Sequence, residues 1–164
     1  MFYADNAASI GVPANEVIKI KFEVDINPPR FAAFETKYRL TPVPYEVKLY
    51  DVPSLFAGKI HAVICRAWQN RVKGRDLYDY VFYLARGSEV NQKHLRERLL
   101  QSAYITDDTA CSLDEIKQML HRRFDFIDYE QAKSDVEPFI RDTSVIALWC
   151  ADFFKQITDS LKLI

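Results

Sequence analysis

The chain has 164 residues, of which 49% are hydrophobic and 27% are charged, and its formal net charge is -1. This composition predicts a globular core and excludes a disordered chain, and the charge balance gives no overall attraction to nucleic acid or a membrane surface. The three cysteines are widely spaced with no CxxC pair, and no long apolar run or signal-peptide pattern occurs. We therefore expect a cytoplasmic protein without a zinc site, a disulfide framework or a membrane span.

A small sheet is predicted in the first third of the chain. Residues 16–26 alternate between apolar and charged side chains until Asn27-Pro28-Pro29 interrupts them, and residues 34–40 and 43–49 alternate in the same way. Alternation with a period of two is typical of a half-buried strand, and short links favour an antiparallel pair. We expect a partly antiparallel sheet of about three strands.

A helical bundle is predicted to follow the sheet. Asp51 is a suitable N-cap with Pro53 in the first turn, and a helical apolar stripe runs from Leu55 to about Gln69. Four further helices are predicted at about 91–103, 113–124, 129–140 and 143–161, after one at 75–86. The fold class is therefore α+β, with a strand-rich region at 1–52 and five to six helices packed as one unit at 53–164.

Two cations and two acids lie close together in the first two predicted helices. Lys59 and Arg66 are seven residues apart and share a helix face, which could hold phosphates or could simply be a solvated basic face. Asp76 and Asp79 are three residues apart at a helix start, where they could bind a divalent cation or accept a proton. They could equally complement the helix dipole. Spacing alone leaves these alternatives open.

Other candidate groups are weaker. Glu23 and Asp25, on the polar face of the first predicted strand, could supply metal carboxylates or could simply face water. His61 could touch phosphate, whereas His94 and His121 are expected at helix surfaces. No GxGxxG or GxxxxGK[ST] phosphate motif is found, and no histidine has the partners of a hydrolytic triad.

A family resemblance rests on the spacing of these groups. The string LFAGKIHA at 55–62, followed by Arg66 and by RDLYD at 75–79, resembles the later motifs of the AbiEii/AbiGii toxin family. The strand at 18–25 and the Asn-Pro-Pro after it also look like this family. Its members are nucleotidyltransferase-like proteins of bacterial toxin–antitoxin and phage-abortive systems.

The resemblance implies a chemistry and a set of roles. Lys59 corresponds to the family lysine that contacts nucleotide phosphates, and Asp76 corresponds to its later catalytic acid. Arg66, Arg75 and Asp79 are their substrate-binding neighbours. The implied reaction transfers a nucleoside monophosphate from an NTP to an acceptor, in some members the end of a tRNA, with Mg²⁺ neutralising the triphosphate. A cognate antitoxin is the implied protein partner.

The chain departs from the family pattern in one respect. The family core opens with Gly-Ser followed by a DxD-type acid pair, whereas Gly87-Ser88 here lies after the second predicted helix with no acid pair behind it. We therefore interpret the chain as the C-terminal portion of such a toxin, with residues 1–52 a remnant of the nucleotidyltransferase core, and expect little activity from the isolated chain. The alternative is a catalytically silent module that binds an antitoxin or another protein. An open sheet edge would also allow homo-oligomers.

Overall fold

The computed structural model describes residues 21–66 and 72–164. Strands β1 (Phe34–Arg39) and β2 (Tyr45–Tyr50) form an antiparallel hairpin, with Phe34 opposite Tyr50 and Arg39 opposite Tyr45. The base of the hairpin is attached to the first helix by a hydrogen bond, in which Ser54 Oγ accepts from the Ala33 amide at 3.0 Å. The second and third predicted strands are therefore confirmed.

The first predicted strand, at 16–26, lies only partly within the described residues. Its described part, 21–26, forms no strand. The side chains expected on its buried face, Phe22 and Val24, are largely exposed, as is Ile26. Within the described residues the sheet therefore has two strands, and residues 16–20 lie outside them.

Six α-helices follow the hairpin within the described residues and confirm the predicted α+β class. They are α1 (Val52–Cys65), α2 (Gly74–Ala85), α3 (Gln92–Gln101), α4 (Leu113–Phe124), α5 (Tyr129–Val136) and α6 (Ala151–Thr158). Two 3₁₀ turns, Glu137–Phe139 and Thr143–Ile146, separate α5 from α6. The first contains Pro138, and α5 ends at Val136 rather than near the predicted residue 140, because proline cannot continue the helical hydrogen bonds. None of the described helices is both long and apolar enough to cross a membrane.

Helix α1 begins where predicted and ends earlier than predicted. The Asp51 carboxylate accepts a hydrogen bond from the Ser54 amide at 2.9 Å, which satisfies a donor that the first turn leaves unpaired. At the other end Arg66 has an extended backbone with a ψ of 117°, so the helix stops at Cys65 rather than near Gln69. Trp68, the last member of the predicted apolar stripe, lies outside the described residues.

The predicted helix at 143–161 is broken in its middle. Trp149 is buried, and its ring meets Phe154 edge-on with the centroids 5.6 Å apart. Cys150 has an extended backbone and precedes α6. Burying the large indole ring stabilises the fold more than an unbroken helix over 143–161 would, because helix propensity is a small local term.

The core lies among the helices and is rich in aromatic rings. Phe154 is fully buried and contacts Tyr80 and Phe124, with ring centroids 6.3 and 5.2 Å away. The aromatic side chains of α2 surround the helix axis, which predicts that the helix is well buried; Tyr80 is fully buried, whereas Tyr78 and Phe82 are 37% and 40% exposed. Helix α1 packs against α2, α3 and α4, and this central position places its polar side chains beside three other helices.

Candidate functional site

The two predicted cations and two predicted acids form two ion pairs between α1 and α2. Lys59 Nζ lies 2.6 Å from Asp79 Oδ2, and Arg66 Nη1 lies 2.6 Å from Asp76 Oδ2. The earlier cation meets the later acid, so the two helices run antiparallel to each other. The structure thus brings together the two halves of the motif, whose paired residues are twenty and ten positions apart in the sequence.

The two pairs differ in burial. The Asp76 side chain is 6% exposed, and Arg66 is 45% exposed. Lys59 and Asp79 are 38% and 35% exposed, so water reaches both partners of that pair. A buried carboxylate requires a partner charge, so Arg66 is needed to stabilise Asp76. The Lys59 ammonium can exchange Asp79 for another anion at a smaller cost.

Lys59 and Arg66 also border a cleft between α1 and α3, here called the α1–α3 cleft. Its volume is about 280 Å³. Its polar lining comes from the end of β2, from α1 and from α3, and consists of Tyr50, Ser54, Lys59, Arg66, His94 and Arg98. The predicted shared face of Lys59 and Arg66 is therefore a cleft wall.

Sequence reasoning missed His94 and Arg98. They are four residues apart on α3 and therefore share a face, which the sequence could have shown. Nothing in the sequence indicates that this face meets α1. The prediction that His94 is a surface residue is wrong, because it is 1% exposed.

The hydrogen bonds of His94 fix its tautomer and orient Arg98. Its Nδ1 lies 2.8 Å from the Arg30 carbonyl oxygen, which can only accept, so Nδ1 carries the hydrogen. Its Nε2 is then an acceptor and lies 3.4 Å from Arg98 Nη1. Burial, with a smaller effect of the Arg98 charge, lowers the pKa of His94 against the opposing effects of the Arg30 carbonyl and Asp51. A neutral His94 thus supports a charged Arg98.

His61 lies in a second pocket on another side of Arg98. This pocket has a volume of about 170 Å³ and is lined in part by Asp25, His61, Arg98 and Ser102. His61 Nε2 lies 3.2 Å from Ser102 Oγ. Burial, followed by the positive charges of Arg98 and Arg66, lowers the pKa of His61 to about 4. The imidazole is therefore neutral near pH 7.

Arg75 and Asp79 border a different pocket. It lies between α2 and the end of α5, has a volume of about 240 Å³, and includes Tyr78 and Phe139. Asp76 lines neither this pocket nor the α1–α3 cleft, and touches the cleft through Arg66. The predicted substrate-binding residues are therefore divided between two surfaces, with Arg66 at the α1–α3 cleft and Arg75 and Asp79 at the pocket beside α5.

The carboxylates of the described residues do not by themselves fit a metal ion. Glu23 pairs with Lys21, and Asp25 Oδ1 accepts a hydrogen bond from the Asn27 amide at 2.9 Å. Across residues 21–66 and 72–164 no group of three or more His, Cys, Asp or Glu side chains could hold a metal. The cationic lining of the α1–α3 cleft fits the oxygens of a phosphate group instead.

Comparison with protein families identifies the class of this protein. The family model described as the nucleotidyl transferase AbiEii toxin of type IV toxin–antitoxin systems matches residues 5–155. The chain belongs to this family, as the Lys59, Arg66 and Arg75-Asp76 spacing predicts. Comparisons with curated proteins and with solved structures give no match.

Proposed function

We propose that this chain supplies the nucleotide-binding side of an AbiEii-type nucleotidyltransferase site, with the triphosphate of an NTP in the α1–α3 cleft. The observation that supports this best is the position of Lys59 and Arg66, which border the cleft and pair with the two acids of α2 at 2.6 Å. An ammonium group presents a point charge to phosphate oxygens, and a guanidinium group presents a planar fork of N–H donors.

In this proposal Asp76 is the catalytic acid, and Arg66 holds its buried carboxylate in a fixed position. Asp79 orients Lys59 until a phosphate group replaces Asp79 as the partner of the ammonium group. Arg75 lines the neighbouring pocket between α2 and the end of α5. The reaction is transfer of a nucleoside monophosphate to an acceptor such as the end of a tRNA. It would require the acid pair of the family's Gly-Ser/DxD motif in addition to these residues. Mg²⁺, when bound, would neutralise charge on the triphosphate.

Binding measurements with Lys59→Met test the proposal. We expect the chain to bind at least one of ATP, GTP, CTP and UTP in isothermal titration calorimetry, and Lys59→Met to weaken that binding about tenfold, because a charged hydrogen bond is lost. Lys155→Met is the matched control, since Lys155 also pairs with an aspartate, Asp125, but lies outside the cleft lining. Absence of NTP binding, or equal affinities of the two variants, would overturn the proposal.

A second candidate function is binding of the cognate antitoxin by a catalytically silent chain. The hairpin favours it, because Tyr38, Leu40 and Val43 are 73%, 75% and 63% exposed, and each described strand pairs only with the other. Apolar side chains beside an unpaired strand edge are suited to a protein partner or to a second copy of the chain.

Leu40→Asp tests this candidate. We expect it to disrupt the complex with co-expressed antitoxin, or a dimer detected by light scattering, while Leu148→Asp, at a leucine 71% exposed and outside the hairpin, leaves both intact. Label transfer from an NTP to tRNA by the isolated chain, abolished by Asp76→Asn, would show that the chain is not silent.

A further inference from the structure

Arg98 is a third cation of the α1–α3 cleft, and part of its guanidinium group is unsatisfied. Its Nε atom is buried and has no hydrogen-bond partner within the described part of the chain. On the other side of the group, Nη1 is held by His94 at 3.4 Å. Buried donors are almost always paired, so an unpaired one at the wall of a cleft indicates a missing partner.

Gly58 lies against the face of the Arg98 guanidinium group. A Cβ atom at Gly58 would lie 3.7 Å from Arg98 Cζ and 3.9 Å from both Nε and Nη2. The Nε and Nη2 atoms form the edge of a guanidinium group that binds two oxygens of one anion. Both residues line the α1–α3 cleft that Lys59 also borders, so the guanidinium group of Arg98 forms part of the cleft wall.

We propose that Arg98 binds a phosphate of the nucleotide through its Nε–Nη2 edge, across the cleft from Lys59. The inference rests on the proposed function of the α1–α3 cleft and adds a residue from α3 that the family motifs at 55–62 and 75–79 do not contain. His94 orients the guanidinium group, and the phosphate supplies the acceptors that the buried edge lacks. The ligand class is a polyphosphate, because Lys59 and Arg98 can each bind a separate phosphate group.

The test is titration of the full chain with inorganic triphosphate and with the NTP that binds best. Arg98→Met should weaken the binding of both about tenfold or more, because the charged hydrogen bonds are lost. Arg98→Lys keeps the charge and loses the fork, so its affinity should fall between those of the wild type and Arg98→Met. Lys93→Met, which removes an exposed cation from the same helix, should bind like the wild type.

Gly58→Ala tests the same guanidinium group without removing a charge. Its methyl group would lie on the face of that group at contact distance and fill part of the cleft, so triphosphate affinity should fall while the melting temperature holds or rises, because alanine favours a helix. If Arg98→Met does not fold, Arg98→Lys and Gly58→Ala decide the question.

The outcomes distinguish this inference from the proposed function. If Lys59→Met weakens triphosphate binding while the Arg98 variants and Gly58→Ala bind like the wild type, the role of Arg98 is overturned and the proposed function stands. If the wild-type chain binds neither triphosphate nor any NTP, both are overturned.

Discussion

At the scale of single residues, burial determines the charge of the groups around the cleft. His61 lies on α1 between Lys59 and Arg66 in the sequence, where an exposed histidine would titrate near pH 6.5. The structure surrounds it with Arg66, Arg98 and the neutral His94, and Asp25 borders the same pocket. A neutral His61 avoids adding a further positive charge beside Arg66 and Arg98 when no anion is bound.

This environment predicts a pH dependence of stability. The pKa of His61 is lowered from 6.5 to about 4 on folding, so between these values the unfolded state binds more protons. The free energy of unfolding should therefore decrease as the pH falls from about 6.5 towards 4, and no such contribution should appear above pH 6.5. Urea denaturation at pH 7 and pH 5 measures the decrease, which should be smaller in His61→Gln.

A second histidine near His61, His94, also contributes to the pH dependence of stability. The pKa of His94 is also lowered, and it changes stability in the same direction in both proteins. Only the difference between the wild type and His61→Gln therefore reports on His61. Parallel pH profiles would show that folding does not change the proton affinity of His61.

At the scale of elements, the close approach of α2 and α5 depends on one glycine. A Cβ atom at Gly74 would lie 2.0 Å from the Ala132 carbonyl oxygen and 2.6 Å from Val136 Cγ2. The oxygen belongs to the backbone of α5, so it cannot move without moving the helix. Gly74 starts the helix that carries Asp76 and Asp79, and its contact with α5 therefore helps set the position of both acids against α1.

Gly74→Ala should destabilise the protein by about 3 kcal/mol, because the overpacked helices must separate. Gly87→Ala is the control, since Gly87 has a φ of +63° but would meet nothing within 4 Å, and its cost should be about 1 kcal/mol of backbone strain. Urea denaturation of both variants gives the two values. A larger cost at Gly87 than at Gly74 would mean that α2 and α5 can adjust their separation.

At the scale of the whole molecule, the last residues of the chain hold the start of α3. The amide of Val90 donates to the Lys162 carbonyl at 2.9 Å, and the amide of Ile164 donates back to the Val90 carbonyl at 2.9 Å. Leu161, just before this short pairing, is 2% exposed and belongs to the core. The far end of the sequence thus supports the helix that places Arg98 in the cleft.

Leu161→Ala should lower the free energy of unfolding by about 3 kcal/mol, because it leaves a cavity in the core. Leu148→Ala, at a leucine 71% exposed, should change it by less than about 0.5 kcal/mol. Chemical denaturation monitored by circular dichroism compares the two. Similar small losses would show that the end of the chain is not part of the cooperative core.

The sequence by itself determined the features that depend on neighbouring residues. Alternation predicted the two strands of the hairpin, and the Asp51 cap predicted where α1 begins. Helical spacing placed Lys59 and Arg66 on one face. Periodicity and capping act over a few residues, so they can be deduced without the fold.

Only the tertiary structure decided which elements meet. It joined Lys59 to Asp79 and Arg66 to Asp76, placed Arg98 at the wall of the cleft, and buried His94 beneath it. It also divided the last predicted helix so that Trp149 could enter the core. These outcomes depend on side-chain packing between segments distant in sequence, a free-energy term that no local pattern encodes.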